Sequence, residues 1–104
     1  MEVTITSENF ESLKNGEQPL VVDFWATWCG PCRMVGPVIS ELAGEYEGRI
    51  NVGKCDVEEN EDLAAEFGIR NIPTILFFKG GQLVDKIVGA QPKARLQEKF
   101  EALL

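Results

Sequence analysis

Two cysteines separated by two residues stand between an apolar run and a segment with helical periodicity. Residues 20–26 are almost all apolar, as expected for a central strand that helices cover on both faces. Cys29 and Cys32 follow this run, and from Cys32 onward apolar residues recur at spacings of three and four, the pattern of a buried helix face. The two thiols are therefore predicted to lie at a strand-to-helix junction.

The start of a helix favours a thiolate over a thiol. Its first backbone N–H groups have no partners within the helix, and the helix dipole places partial positive charge there. Cys29 is therefore predicted to be the nucleophile. Because three residues are almost one helical turn, Cys32 is expected to face Cys29 at a separation that a disulfide can span. This spacing predicts a pair that opens and closes reversibly.

Two other uses of the cysteine pair remain open from the residues alone. A structural disulfide across so few residues removes little chain entropy, roughly 2 kcal/mol before strain, so it stabilises poorly. A structural zinc site needs four ligands, whereas the chain has no histidine and only Cys55 besides the pair. The strand-to-helix context favours redox chemistry without a metal or cofactor. Cys55 itself is expected to be a buried, unreactive side chain.

Composition limits the partners and the compartment. A chain of 104 residues suits a single domain, residues 1–104. Its net charge of −7 opposes binding to nucleic acid or to anionic membrane surfaces. No apolar stretch approaches the ~20 residues of a membrane span, and the first six residues do not resemble a signal peptide. With only three cysteines, a reducing, cytoplasmic location is predicted, although a leader removed from a longer precursor stays open.

Hydrophobic periodicity predicts the element order βαβαβαββα. A short strand contains Val3 and Ile5, the central strand covers residues 20–26, and a third strand covers residues 50–57. A hairpin over residues 75–88 and a helix after it complete the chain. This order is typical of an α/β fold, in which a mixed sheet is covered by helices on both faces.

One charged residue, Asp23, interrupts the apolar central strand. Alternation places it on the same face as Val21 and Trp25, where a covering helix would bury it. A buried carboxylate is costly and its pKa rises. A structural carboxylate held by backbone hydrogen bonds is one interpretation. Beside the cysteine pair we favour another, in which Asp23 is the general base for Cys32, directly or through a water molecule.

Several motifs, in order and spacing, resemble the thioredoxin family over nearly the whole chain. They are Trp28-Cys29-Gly30-Pro31-Cys32, the strand at residues 22–26, Ile72-Pro73-Thr74, Pro37, Lys54, Gly81 and Gly89-Ala90. The resemblance implies the thioredoxin fold, a central five-stranded mixed β-sheet flanked by four helices. It also implies a general protein-disulfide reductase that acts on disulfide-containing client proteins and is recycled by a thioredoxin reductase. In this scheme Cys29 forms a mixed disulfide with the client and Cys32 resolves it. Exchange requires a thiolate in line with the client disulfide, so Cys29 is expected to be partly exposed.

The same resemblance implies supporting roles for other residues. Lys54, one strand away, would pair with Asp23, although most strand lysines only extend to solvent. The peptide bond before Pro73 would be cis, which would bring Ile72 against the cysteines with its backbone available to an extended substrate segment. A flat apolar contact surface would then comprise Trp28, Gly30, Pro31, Ile72, Pro73, Gly89 and Ala90. Turn geometry and core packing are the alternative roles for these residues.

Three functional classes are compared: a reductase, an oxidase or isomerase on the same fold, and a binding module without turnover. Family members that oxidise or shuffle disulfides often have histidine in the second position between the cysteines, where its charge stabilises the thiolate. Pro31 occupies that position here. A binding module would not need both thiols together with Asp23. A monomeric reductase is therefore the prediction.

Overall fold

The computed structural model describes residues 2–104, and Met1, the first residue of the predicted domain, lies outside the described residues. Nine elements follow one another in the predicted order βαβαβαββα, which is confirmed. They are β1 (Glu2–Thr4), α1 (Phe10–Lys14), β2 (Leu20–Trp25), α2 (Gly30–Glu45), β3 (Asn51–Asp56), α3 (Glu61–Glu66), β4 (Thr74–Lys79), β5 (Gln82–Val88) and α4 (Lys93–Leu103). Within residues 2–104, no helix is both long enough and apolar enough to cross a membrane.

The strands form one mixed sheet with β2 at its centre. The strand order is β1-β3-β2-β4-β5. Strands β1 and β2 both pair with β3 in parallel, whereas β4 pairs with β2 and with β5 in antiparallel fashion. The α/β fold expected from the resemblance, a five-stranded mixed sheet with four helices, is confirmed.

Alternate residues of β2 pack into two separate cores. Val21 lies in the core on one face, together with buried residues of α2 and α4 such as Ile39 and Phe100. Val22 and Phe24 lie in the core on the opposite face, with residues of α1 and α3. Because both faces of β2 are covered, its nearly continuous apolar sequence is explained by burial on both sides.

Antiparallel pairing of β2 with β4 brings two loops together. Phe24, near the end of β2, pairs with Thr74, the first residue of β4. The segment that leaves β2 toward α2 therefore lies beside the segment that enters β4. These two segments contain the cysteine pair and Ile72-Pro73.

Gly53 and Gly44 provide a paired test of this packing. A Cβ on Gly53 would overlap the Ile5 side chain and lie 2.9 Å from the Val3 carbonyl oxygen. Gly53→Ala is therefore expected to lower the free energy of unfolding by about 1–3 kcal/mol. Gly44 is an exposed residue in α2 with nothing within 4 Å of such a Cβ, so Gly44→Ala should raise it by about 0.5–1 kcal/mol. Urea unfolding measures the change in the free energy of unfolding for each variant. Destabilisation by both substitutions would contradict the packing described for α2.

Candidate active site

The two cysteines occupy the first turn of α2, as predicted. Cys29 is the N-cap residue, and its Sγ accepts a hydrogen bond from the backbone N–H of Cys32 over 3.1 Å. The two side chains form a disulfide, with their Cα atoms 5.3 Å apart. The Cys29 sulfur therefore takes the place of the side-chain oxygen that usually caps a helix, and it partners one of the N–H groups that the helix leaves free.

The disulfide is more deeply buried than the sequence suggested. We expected Cys29 to be partly exposed because exchange requires direct approach to a sulfur, yet Cys29 is only 3% exposed and Cys32 only 6%. The reason is that both pack with Ala26 and contact the partly buried side chains of Trp25 and Ile72, among others. Both cysteines are thus largely shielded from solvent in the disulfide form.

A cis peptide bond joins Ile72 and Pro73, as the resemblance implied. The Ile72 carbonyl oxygen lies 3.7 Å from the Cys29 Sγ. The Pro73 carbonyl oxygen accepts a hydrogen bond of 2.8 Å from the Gly89 N–H, and Gly89 has a φ of +91°, a conformation that favours glycine. The loop after β5 is therefore attached to the loop that contacts the cysteines.

The residues predicted to contact substrate differ in exposure. Trp28 is 66% exposed. Gly30, Pro31 and Ala90 are also exposed, while Ile72 and Gly89 are half-buried. Pro73 is buried, so its ring does not form part of the outer surface.

Asp23 lies fully inside the protein on the face that α2 covers, as predicted. It is 0% exposed, and within the described part of the chain neither of its carboxylate oxygens has a hydrogen-bond partner. This burial raises the pKa of Asp23 from 3.8 to about 7. The positive charge of Lys54 acts in the opposite direction, and the charge of Glu2 raises the pKa of Asp23 further. The carboxyl group is therefore near half-ionised at neutral pH.

Lys54 pairs with Asp23 in the register of β2 and β3, but its ammonium group has a different neighbour. The Nζ lies 5.8 Å from the centre of the Trp25 ring. A Cβ on Gly36 would lie 3.2 Å from the Nζ, so the glycine leaves room for the ammonium group. An open cleft lined by Trp25, Cys32, Gly36 and Lys54, among others, runs along this side of α2. Lys54 thus influences Asp23 through its charge, without a hydrogen bond to it.

Cys55 is separated from this chemistry. It is 0% exposed and packs in the core on the face away from α2. Burial raises the pKa of its thiol to about 12, so it stays protonated. No group of three or more His, Cys, Asp or Glu side chains among residues 2–104 is arranged to hold a metal ion.

Sequence reasoning missed Glu2. The Ser40 hydroxyl donates a 2.5 Å hydrogen bond to its Oε1. Its Oε2 is buried and, of the residues that the structure describes, none forms a hydrogen bond with it. In the sequence Glu2 is only a charged residue in a short strand. Its position under α2 depends on the pairing of β1 with β3, which the sequence does not reveal.

The buried carboxylate of Asp23 makes stability depend on pH. Between pH 3.8 and about 7 the folded state holds the Asp23 proton more tightly than the unfolded state does. The contribution of this group to stability is therefore fully present below pH 3.8 and is lost as the pH rises through about 7. The total loss in the free energy of unfolding is up to about 4 kcal/mol. Asp23→Asn should be about 2–4 kcal/mol more stable than wild type at pH 8, with little difference at pH 4. Urea unfolding of the disulfide forms at both pH values measures this, and a pH-independent difference would contradict it.

Comparison with known proteins agrees with this geometry. A family model described as Thioredoxin matches residues 1–102. Thioredoxin 1 of Nostoc sp. is 50% identical over 98 residues, covering 93% of this chain and 92% of that protein. Thioredoxin of Staphylococcus saprophyticus is 51% identical over 100 residues, covering 95% and 94%. Thioredoxin M-type, chloroplastic, of Pisum sativum is 53% identical over 91 residues, covering 88% of this chain and 53% of that protein.

The match covers nearly all of the chain, and the paired cysteines lie at disulfide distance at the start of α2. The chain therefore belongs to the thioredoxin family, and its Cys29–Cys32 pair is that of a thiol–disulfide oxidoreductase with protein-disulfide reductase activity.

Proposed function

We propose that, in protein-disulfide reduction by this chain, Cys29 is the attacking sulfur and Cys32 the resolving sulfur. The observation that supports this assignment is the hydrogen bond from the Cys32 N–H to the Cys29 Sγ at the N-terminus of α2. After reduction the same N–H faces the Cys29 sulfur and, together with the helix dipole, stabilises a thiolate there.

The reaction has two exchange steps. The Cys29 thiolate attacks one sulfur of a client disulfide, forms a mixed disulfide and releases the other client sulfur as a thiolate. Cys32 then loses its proton and attacks the Cys29 sulfur. This second attack breaks the mixed disulfide, releases the client as a dithiol and forms the Cys29–Cys32 disulfide. Two electrons pass from this protein to the client.

Asp23 is proposed as the general base for the second step. With its pKa near 7, it is a stronger base than an ordinary aspartate and still has a large ionised fraction at neutral pH. The cleft beside α2 is lined by Cys32 and by Lys54, the strand neighbour of Asp23, and a water molecule there is proposed to carry the proton from Cys32 to Asp23. Lys54 assists by limiting the rise of the pKa of Asp23.

A client segment is proposed to bind in extended form across Ile72. The Ile72 carbonyl is beside the Cys29 sulfur, so hydrogen bonds to this backbone would bring a client cystine into reach. The exposed Trp28 indole supplies apolar contact, and the exposed Gly30, Pro31 and Ala90 carry little side-chain bulk, so another backbone can approach. Gly89 and Pro73 hold the loop in place.

The cellular setting follows from the same proposal. A thioredoxin reductase returns two electrons to the Cys29–Cys32 disulfide after each cycle, as is usual in the family. The chain acts as a monomeric single domain over residues 1–104, in the cytoplasm, where disulfides of clients are kept reduced. Pro31 between the cysteines carries no positive charge, which favours reduction over an oxidase or isomerase role.

Turnover and trapping distinguish catalysis from binding. Wild type should catalyse reduction of insulin by dithiothreitol, and Cys55→Ser should retain this activity because that thiol is buried and protonated. Cys32→Ser should lose turnover and accumulate a Cys29 mixed disulfide, seen by mass spectrometry under non-reducing conditions. Binding of clients by wild type without any reduction would indicate a module that lacks turnover.

The role of Asp23 is tested on the second step alone. Asp23→Asn should release a preformed Cys29 mixed disulfide about 10²-fold more slowly at pH 7, because the amide cannot accept the Cys32 proton. Rapid-quench measurement of client release gives this rate, while the rate of mixed-disulfide formation serves as the internal control. Equal release rates in the variant and wild type would show that Asp23 is not the general base of this step.

A further inference from the structure

A second carboxylate lies under α2 besides Asp23. Glu2 in β1 pairs with Val52, and Val52 pairs with Val21. Paired residues share a face of the sheet, and Asp23 is two residues after Val21, so Glu2 and Asp23 lie on the same face. Helix α2 contacts all three of the strands concerned.

Glu2 is held in a defined position. The Ser40 hydroxyl, on α2, donates a hydrogen bond of 2.5 Å to Oε1. Oε2 is buried and lacks a hydrogen-bond partner among the residues described. Water screens a charge at a partly buried position less than one in bulk solvent, so its influence extends over a longer distance. The arrangement uses two side chains to place one charge beneath α2.

Few other charges face Asp23 from the elements packed against it. Lys54 lies opposite Asp23 in β3, and Ile75, the residue opposite it in β4, is apolar. The buried residues that α2 and α4 contribute to the core on this face, such as Leu96, are apolar as well. Arg33 also lines the cleft, but its guanidinium donates to the Thr27 carbonyl oxygen. Glu2 is the negative charge that acts on Asp23 from β1, and it raises the pKa of Asp23.

We propose that Glu2, fixed by the Ser40 hydroxyl, is a positioning residue for the proton-transfer site: its negative charge strengthens Asp23 as a base. This inference rests on the proposed role of Asp23 in the release step. The positive charge of Lys54 on β3 stabilises the ionised form of Asp23, and the negative charge of Glu2 on β1, the strand beyond β3, opposes this effect. The balance of the two charges keeps Asp23 basic enough to take a proton from a thiol.

Glu2→Gln removes the charge and keeps an oxygen that can accept from Ser40. The pKa of Asp23 should then fall by roughly half a unit. The pH titration of the Asp23 carboxyl carbon, followed by ¹³C NMR in the disulfide form, measures this directly and needs no activity. Glu17→Gln is the matched control, since Glu17 is exposed in the loop before β2 and its replacement changes the net charge equally.

A second variant separates charge from position. Ser40→Ala leaves the Glu2 charge in place but removes the hydrogen bond that fixes its carboxylate. The pKa of Asp23 should therefore also fall, by less than in Glu2→Gln. A fall of the pKa of Asp23 in Glu2→Gln that is absent in Glu17→Gln supports the inference. An unchanged pKa in Glu2→Gln, or an equal change in both glutamine variants, overturns it.

The release step distinguishes this inference from the proposed function. If Asp23 is the base, the pH at which mixed-disulfide release is half-maximal should move down with the pKa of Asp23 in Glu2→Gln. A change in the NMR titration with no change in the pH profile of release would refute the base role of Asp23 while leaving the influence of Glu2 on Asp23 established. An unchanged NMR titration would refute the role of Glu2 alone.

Discussion

The contact between the Cys29 sulfur and the Cys32 N–H is the interaction on which the functional architecture depends. A helix must find acceptors for its first N–H groups, and here the acceptor is a sulfur instead of a hydroxyl or carboxylate. The same turn brings the two Cα atoms to 5.3 Å, where a disulfide closes. Helix capping and redox chemistry therefore use the same atoms, and the structural requirement of α2 also positions the sulfur that we propose as the nucleophile.

Burial of Asp23 is the energetic counterpart of this arrangement. A carboxyl group with no hydrogen-bond partner in the described structure, at the centre of the sheet, lowers stability whenever it ionises. The apolar cores on both faces of β2 offset that cost, since each fully buried Leu, Ile or Phe contributes about 1.5–3 kcal/mol. A central position in the sheet is thus what permits a carboxyl group with raised pKa to persist on the face covered by α2, the helix that begins at the cysteine pair.

The sequence predicted the features that depend on local pattern. The apolar run of β2, the helical spacing after Cys32 and the hairpin of β4 and β5 were recognisable because periodicity and turn residues are local signals. Asp23 was recognisable as a charge within an apolar run. The cis bond before Pro73 came only from the family resemblance, because proline alone does not determine the isomer.

Features that depend on distant parts of the chain were not predictable in the same way. Glu2 and Ser40 are 38 residues apart, and they meet only because β1 adds in parallel to the edge of β3 beneath α2. The low exposure of Cys29 likewise depends on Ile72, which β4 brings to the end of β2. Local pattern identified the cysteine pair and the buried carboxyl group, whereas the charges that surround them are arranged by strand pairing. The electrostatic environment of a site on a mixed sheet is therefore set by neighbours in space that the motif itself does not contain.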